Sequence, residues 1–255
     1  MVATINNFGG FYRTELYVHE ARMHGATIEA PCINKSFDIT VIENKTIYLG
    51  FILLHSLQEK TIRTFLAERQ ANGDFKSLDD FIDRVPITLD QITILIKIDA
   101  FRFTKTNKKE LLWEANLKIG KAPVQEQIVT LFKTEKLSYK TPKLPSSFLE
   151  NAFDQLELLG FPLCNPFLLL EDLSDYSSKP IELTNYIHKT VTVEGYLITT
   201  KNTKTSDQKI MCFGTFIDYD GHFIDTVHFP PIAAKFPFRG KGVYEITGKV
   251  LEEFD

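Results

Sequence analysis

At 255 residues, 44% hydrophobic, the chain is long enough for two or three compact units, and no apolar run approaches the roughly 18 residues a membrane span needs. Its net charge of −4 argues against a freestanding, generally basic nucleic-acid binder, so any such binding must rest on local patches. The three cysteines, Cys32, Cys164 and Cys212, include no CxxC pair, which argues against a disulfide frame or a zinc site and for a reducing, cytoplasmic compartment.

The first residues, Met1–Asn7, lack the basic start and small-residue cleavage site of a secretion signal. In the loop that follows, Gly9-Gly10 lies between Phe8, Phe11 and Tyr12. It reads as a turn stapling the next helix, or as a close backbone approach to a nucleotide; phosphate-binding fingerprints, however, place their glycines after a strand. Thr14–His24 reads as a helix closed by Gly25, and Ile47–Ile52 as a strand.

A helical block comes next. Lys60–Ala71 carries Ile62, Phe65 and Leu66 at one-face spacing and ends at Gly73. Ser77 with Asp80 starts a short helix that Pro86 breaks, and Thr88 with Gln91 reads as a capping box for a helix running to about Ala100. Asn107 with Glu110 caps another, with Leu111, Leu112 and Ala115 inside. Two helix pairs joined by short turns are the plan of tandem helix-hairpin-helix units, which offer turn amides and helix N-termini to phosphates. The second turn carries Lys97, Arg102, Lys105, Lys108 and Lys109 against Asp99 alone. A phosphate site and a solvated basic face both fit that cluster.

Lys133–Ser147 is polar, lysine-rich and interrupted by Pro142 and Pro145, and reads as a linker. Just before it, Gln127–Phe132 is a polar residue followed by an apolar anchor, the make-up of short peptides that dock in a partner's groove. Ser147 with Glu150 caps a helix whose Phe148, Ala152, Phe153, Leu156 and Leu159 are expected to face a core.

From Val191 to Phe254 the pattern changes to runs of β-branched and aromatic residues separated by turn signals. Asp220-Gly221 marks a tight hairpin, and Gly195, Gly214 and Gly248 fall inside strand patterns, where a missing side chain permits a sharp bend. Pro230–Ala234 reads as a helical insert before a last strand. Three strands, a helix and a strand follow the order of an OB-fold, a small barrel that binds oligonucleotides. That barrel has five strands and the pattern supplies four, so the chain reads as a piece of a longer protein with an open edge.

No catalytic constellation emerges. The carboxylates Asp79, Asp80 and Asp83 crowd the N-terminal turn and outer face of their helix, where the helix dipole explains them. The six histidines form no HExxH or HxH, and nucleophile elbow, P-loop and dinucleotide fingerprints are absent.

Taken in order, the stretches resemble the C-terminal half of the bacterial replicative DNA polymerase III alpha subunit, in a form like that of the Bacteroidetes group. The matching stretches are MVATINNFGGFYRTELYVHEARMHGATIEAPCINKS, IYLGFILLHSLQEKTIRTFLAERQANGDFKSLDDFI, ILIKIDAFRFTKTNKKELLWEA, FDQLELLGFPLCNPF, GYLITTK, FGTFIDYDGHFIDTVHFP and GKVLEEF. The resemblance implies an α+β multidomain chain. Residues 1–54 would end a fingers region, 55–120 form tandem helix-hairpin-helix units, and 121–147 form a linker with a clamp-binding peptide. Residues 148–189 would be a helix and connector, and 190–255 an OB-fold β-barrel lacking its last strand.

It further implies that the full-length protein is a DNA-directed DNA polymerase, a nucleotidyltransferase whose Mg²⁺-holding aspartates lie upstream of Met1. This part would bind no cofactor and catalyse nothing. It would hold duplex and single-stranded DNA, tether the sliding clamp and meet other replisome subunits. Residues fitting the duplex role are Lys60, Lys97, Arg102, Lys105, Lys108 and Lys109. The single-strand role falls to Lys201, Lys204, Lys209, Phe213, Phe216, Tyr219, Phe223 and Phe229, some of whose rings are expected to be core. The clamp peptide would use Gln127, Leu131 and Phe132. Three departures stand out: Ser56–Lys60 replaces a glycine-bearing first hairpin, Asp99 replaces a glycine in the second, and Gln127 sits one position early with Ile128 in the usual place. A replisome interaction module with little DNA binding of its own is the competing expectation, favoured by the acidic balance.

Overall fold

In the computed structural model, which describes residues 1–7, 12–120, 144–171 and 183–252, the chain divides into two compact units. The helical unit holds Val2 and residues 25–163; the sheet unit holds Met1 and residues 3–24 and 164–255. Residues 3–7 and 12–24 thus pack with the C-terminal sheet, and residues 148–163 with the helices. The Gly9-Gly10 loop and the clamp peptide lie outside the described residues. A short helix, α1 (Val2–Asn6), opens the chain and α2 (Thr14–Met23) follows.

The helical unit begins with a small sheet of β1 (Thr27–Glu29), β2 (Val41–Glu43) and β3 (Thr46–Tyr48), β3 lying between the other two. The strand expected over Ile47–Ile52 stops at Tyr48, because residues 51–53 turn into a 3₁₀ helix. Gly50 permits that turn: a Cβ there would stand 2.4 Å from the Ile39 carbonyl carbon and 2.5 Å from the Asp38 oxygen. Then come α3 (Glu59–Asn72), α4 (Leu78–Arg84), α5 (Leu89–Lys97), α6 (Lys108–Ile119) and α7 (Phe148–Leu159).

Phenylalanines tie these helices together. Phe51 meets Phe65 of α3 at 4.9 Å between ring centroids, and Phe81 of α4 meets Phe75 at 4.8 Å and Phe101 at 5.1 Å, all three pairs edge to face. Such pairs add roughly 0.5–1.5 kcal/mol each beyond their area burial. Because Phe51 precedes the first hairpin and Phe101 sits in the second, this core fixes both turns.

Three of the four caps expected from the sequence form. Ser77 accepts the Asp80 amide, Asn107 accepts the Lys109 amide, and Ser147 with Glu150 closes a reciprocal capping box. The box expected from Thr88 and Gln91 does not form. Thr88 makes no side-chain cap, and Gln91 is buried and reaches across to the first hairpin, where two backbone groups satisfy its amide. On α7, Ala152, Leu158 and Leu159 are buried, but Phe148 and Phe153, expected inside, are exposed.

The sheet unit is built on β4 (Thr190–Lys204), whose 15 residues serve two partners. Its first half pairs with β7 (Val243–Lys249) and its second with β5 (Ile210–Ile217), the register shifting between Leu197 and Thr199. A bulge of this kind sharpens the local twist and lets one strand coil through a corner. β6 (Phe223–His228) pairs with β5, giving the order β6-β5-β4-β7, and the short α8 (Pro230–Lys235) connects β6 to β7. All pairings are antiparallel. The result is a curled half-barrel of OB type with the closing strand missing among the described residues.

Leu197, Phe216 and Ile224 form the core of its concave side, with Phe238 and Tyr244 against them. Two of the three strand glycines serve this core: a Cβ on Gly195 or Gly214 would lie 2.8 Å or 2.7 Å from atoms of Phe216. Gly248 faces open space, so no packing demand explains it. The opposite side is covered at one end by Leu16 of α2 and by Phe167, packed on Tyr196, Ile198 and Ile217. There the Lys241 ammonium pairs with the buried Glu15 carboxylate, and His19 donates its Nε2 proton to the Gly221 carbonyl at 2.7 Å.

Candidate nucleic-acid interface

At the first hairpin, Ser56 adopts the left-handed conformation (φ 66°) that a glycine would supply without strain. Gln91 compensates from α5: its Oε1 accepts the Gln58 amide at 2.7 Å and its Nε2 donates to the Ser56 carbonyl at 3.0 Å. The His55 amide is taken by the Leu158 carbonyl at 2.8 Å. Lys60 stands exposed on the first turn of α3.

The second hairpin closes α5 with Asp99 in the left-handed position (φ 62°). The Asp99 amide bonds the Ile96 carbonyl and the Ala100 amide bonds Leu95, the paired pattern that ends many helices at a glycine. The Ile98 and Arg102 amides are also satisfied, by Ile94 and Asp99. Four amides of this turn, those of Ile98, Asp99, Ala100 and Arg102, are therefore spent inside the protein and are not offered to phosphates. Burial pushes the Asp99 carboxyl above its usual range, against the opposing pull of Arg102 and Lys108.

The cations around this turn are engaged as well. Lys97 meets Glu157 at 2.8 Å, Lys108 meets Asp154 at 2.5 Å, and Lys109 meets Glu150 at 2.8 Å, all three acids on α7. The Lys108 ammonium also donates to the Lys97 carbonyl at 2.8 Å. Arg102 turns inward, donating to the carbonyls of Ala30, Pro31 and Asp99 and pairing with Glu29 at 3.2 Å. Of the five second-hairpin cations, Lys105 stays exposed.

In the sheet unit the register sorts the eight expected residues. Opposed residues on antiparallel strands share a face. Lys201 lies opposite Phe213, which lies opposite Val227, so a cation, a ring and an aliphatic side chain form one row across three strands. Phe229, two residues on from Val227, is 61% exposed, and Lys209 stands exposed in the β4–β5 turn. Lys204 alternates to the other face, opposite Ile210. Phe216 is fully buried and is corrected from base platform to core. Tyr219 and Phe223 sit at the covered end, their rings edge to face against Phe167 and His19. The neighbouring row, Thr199, Thr215 and Asp225, brings in a carboxylate, which Thr215 holds by a 2.7 Å hydrogen bond.

Two features escaped the local reading of the sequence: the Gln91 clamp and the acidic row of α7. The second had a signal, since Glu150, Asp154 and Glu157 repeat at helical one-face spacing. Among the described residues no group of three or more His, Cys, Asp or Glu side chains is placed to hold a metal ion, and no helix is long and apolar enough to cross a membrane.

Residues 25–111 match the helix-hairpin-helix motif family. The chain is similar to the DNA polymerase III subunit alpha of Aquifex aeolicus, 28% identical over 243 residues, which are 92% of this chain and 19% of that protein. The Staphylococcus epidermidis protein of the same name is 25% identical over 61% of this chain and 15% of its own length. The error-prone DNA polymerase of Mycobacterium tuberculosis is 33% identical over 42% of this chain and 10% of its own length. The chain thus spans less than a fifth of each of these relatives.

Proposed function

Because the chain is a relative of the C-terminal part of the DNA polymerase III alpha subunit, we propose that it is a DNA-gripping part of a replicative DNA-directed DNA polymerase. The row Lys201–Phe213–Val227 carries this reading: it sets a stacking surface beside a cation on the face of an OB-like sheet, the arrangement by which single strands are held. Chemistry in this proposal belongs to the longer protein, and this part requires no metal of its own. The helix-hairpin-helix unit adds duplex contacts through Lys60 and Lys105, which are exposed. Gln127, Leu131 and Phe132 form the clamp tether, a proposal that rests on the sequence alone.

Fluorescence anisotropy with a labelled single-stranded oligonucleotide, at two salt concentrations, tests the reading. The expected result is binding that weakens with salt, with Phe213→Ala costing about 1–3 kcal/mol, the worth of one stacked base. Binding that ignores both salt and Phe213 would refute it. The internal pairing of Lys97, Lys108 and Lys109 favours a second reading, an interaction module of the replisome with little DNA affinity, which undetectable binding would promote in its place.

A further inference from the structure

We propose that α7 is a built-in competitor for DNA at the second hairpin, its carboxylates occupying the lysines that duplex phosphates would otherwise take. The inference rests on the DNA-binding reading and adds a regulation to it. Glu150, Asp154 and Glu157 follow one another at intervals of four and three residues, about 6 Å and 4.5 Å along a helix axis. That is a regular row of anions, as a nucleic-acid strand is. Each carboxylate meets its own lysine, Lys109, Lys108 and Lys97 in turn, and Asp154 also stands 3.9 Å from Lys97. These lysines come from the end of α5 and the start of α6, the two helix ends a hairpin presents to a backbone.

The row is held in place independently of its charges. The buried side chains of Ala152, Leu158 and Leu159 and the Leu158 carbonyl bonded to His55 anchor α7. Its carboxylates are therefore at hand whenever DNA is absent. At the two ends of the row exchange needs only side chains to move: the Lys97 and Lys109 side chains keep about a third of their surface in water, and their partners Glu157 and Glu150 are more exposed still, whereas the central Lys108–Asp154 pair is largely buried. Exposed pairs of this kind are individually weak, roughly 0–1 kcal/mol, so a phosphate backbone can displace them.

The test is duplex binding by the whole chain carrying Glu150→Gln, Asp154→Asn and Glu157→Gln together. The expected result is at least tenfold tighter binding at low salt, with a log–log salt slope steeper by about 2 as the partly exposed Lys97 and Lys109 become available to phosphates. A control of equal charge, Glu43→Gln, Asp74→Asn and Asp83→Asn, stays near the parent. Adding Lys97→Gln, Lys108→Gln and Lys109→Gln to the α7 variant removes the gain. Far-UV circular dichroism and Trp113 emission confirm the fold, and Glu150→Gln alone, which releases Lys109 while a glutamine can keep the capping box, serves if the triple variant is unstable. Equal binding by parent and α7 variant, or an equal gain in the control, overturns the competitor role. Absence of duplex binding in every variant also overturns it, while single-strand binding by the parent in the same assay leaves the DNA reading standing.

Discussion

The three glycines in the strand patterns of the sheet unit should respond differently to alanine. All three lie outside the left-handed φ region, so alanine's backbone is compatible at each. At Gly195 the new Cβ would stand 2.8 Å from the Phe216 Cβ and 3.2 Å from its Cγ. At Gly214 it would stand 2.7 Å from Phe216 Cε2 and 2.9 Å from Phe238 Cζ, and at Gly248 it meets nothing within 4 Å. Phe216 has no room to retreat, being fully buried with Phe238 and Tyr244 edge to face against it. Overpacking of this kind costs about 1–3 kcal/mol, and the stiffer unfolded chain returns about 0.4–1 kcal/mol. The balance is a loss of about 1–2 kcal/mol for Gly195→Ala and Gly214→Ala, and a gain of up to about 1 kcal/mol for Gly248→Ala. Hydrogen exchange read by mass spectrometry on peptides spanning β4 to β6 reports the change directly, since about 1.4 kcal/mol is tenfold in an opening equilibrium. Equal protection in Gly195→Ala and the parent, or equal losses at Gly195 and Gly248, would refute this account of the coiled strand.

Three further outcomes are expected. Asp99→Asn keeps the left-handed turn but removes a carboxyl that burial holds above its ordinary range. A raised carboxyl opposes folding once pH exceeds its ordinary pKa, so the variant should be more stable than the parent at pH 7 and equal to it below about pH 3.5, as urea titrations at both pH values can check. Gln91→Ala strips two partners from the first hairpin turn and should destabilise the helical unit by about 1–3 kcal/mol; an unchanged midpoint in Trp113 emission would show the clamp to be idle. If the proposed tether is right, Leu131→Ala with Phe132→Ala should abolish capture by the sliding clamp in a pull-down, and undiminished recovery would refute it.

How legible each feature was in the sequence depended on the distance over which its cause acts. Asp220-Gly221, the strand–strand–strand–helix–strand order and the Ser147–Glu150 box are decided within a few residues, and they appear as the local pattern implies. The fate of the basic cluster is not local. Lys109, Lys108 and Lys97 find their acids 41, 46 and 60 residues away, far beyond any window in which Asp99 looked like the sole counter-charge. Gln91 was misassigned for the same reason, its partners lying 33 and 35 residues back in the first hairpin. Among the aromatics, alternation separates Phe213 from Phe216 but cannot say which is inside. That choice is made by the bulge at Leu197–Thr199 and by Gly195, which together turn the concave side toward Phe216.

The same charge distribution limits how the chain can hold a single strand. With Lys97, Lys108 and Lys109 paired and the net charge at −4, long-range attraction is small, and affinity has to come from rings and from the few cations of the sheet. Lys201, Lys204 and Lys209 can neutralise three phosphates at most, and each contributes about 0.7 to the log–log salt slope for single strands. Because Lys204 lies on the other face, replacing all three by glutamine should flatten the slope by about 1.4, the share of Lys201 and Lys209, and by no more than about 2. A drop well beyond 2 would mean the lysines organise a larger field than their own charges. No drop at all would place the strand off this face, because Lys201 stands beside Phe213 in the row and a strand stacked on that ring must pass it.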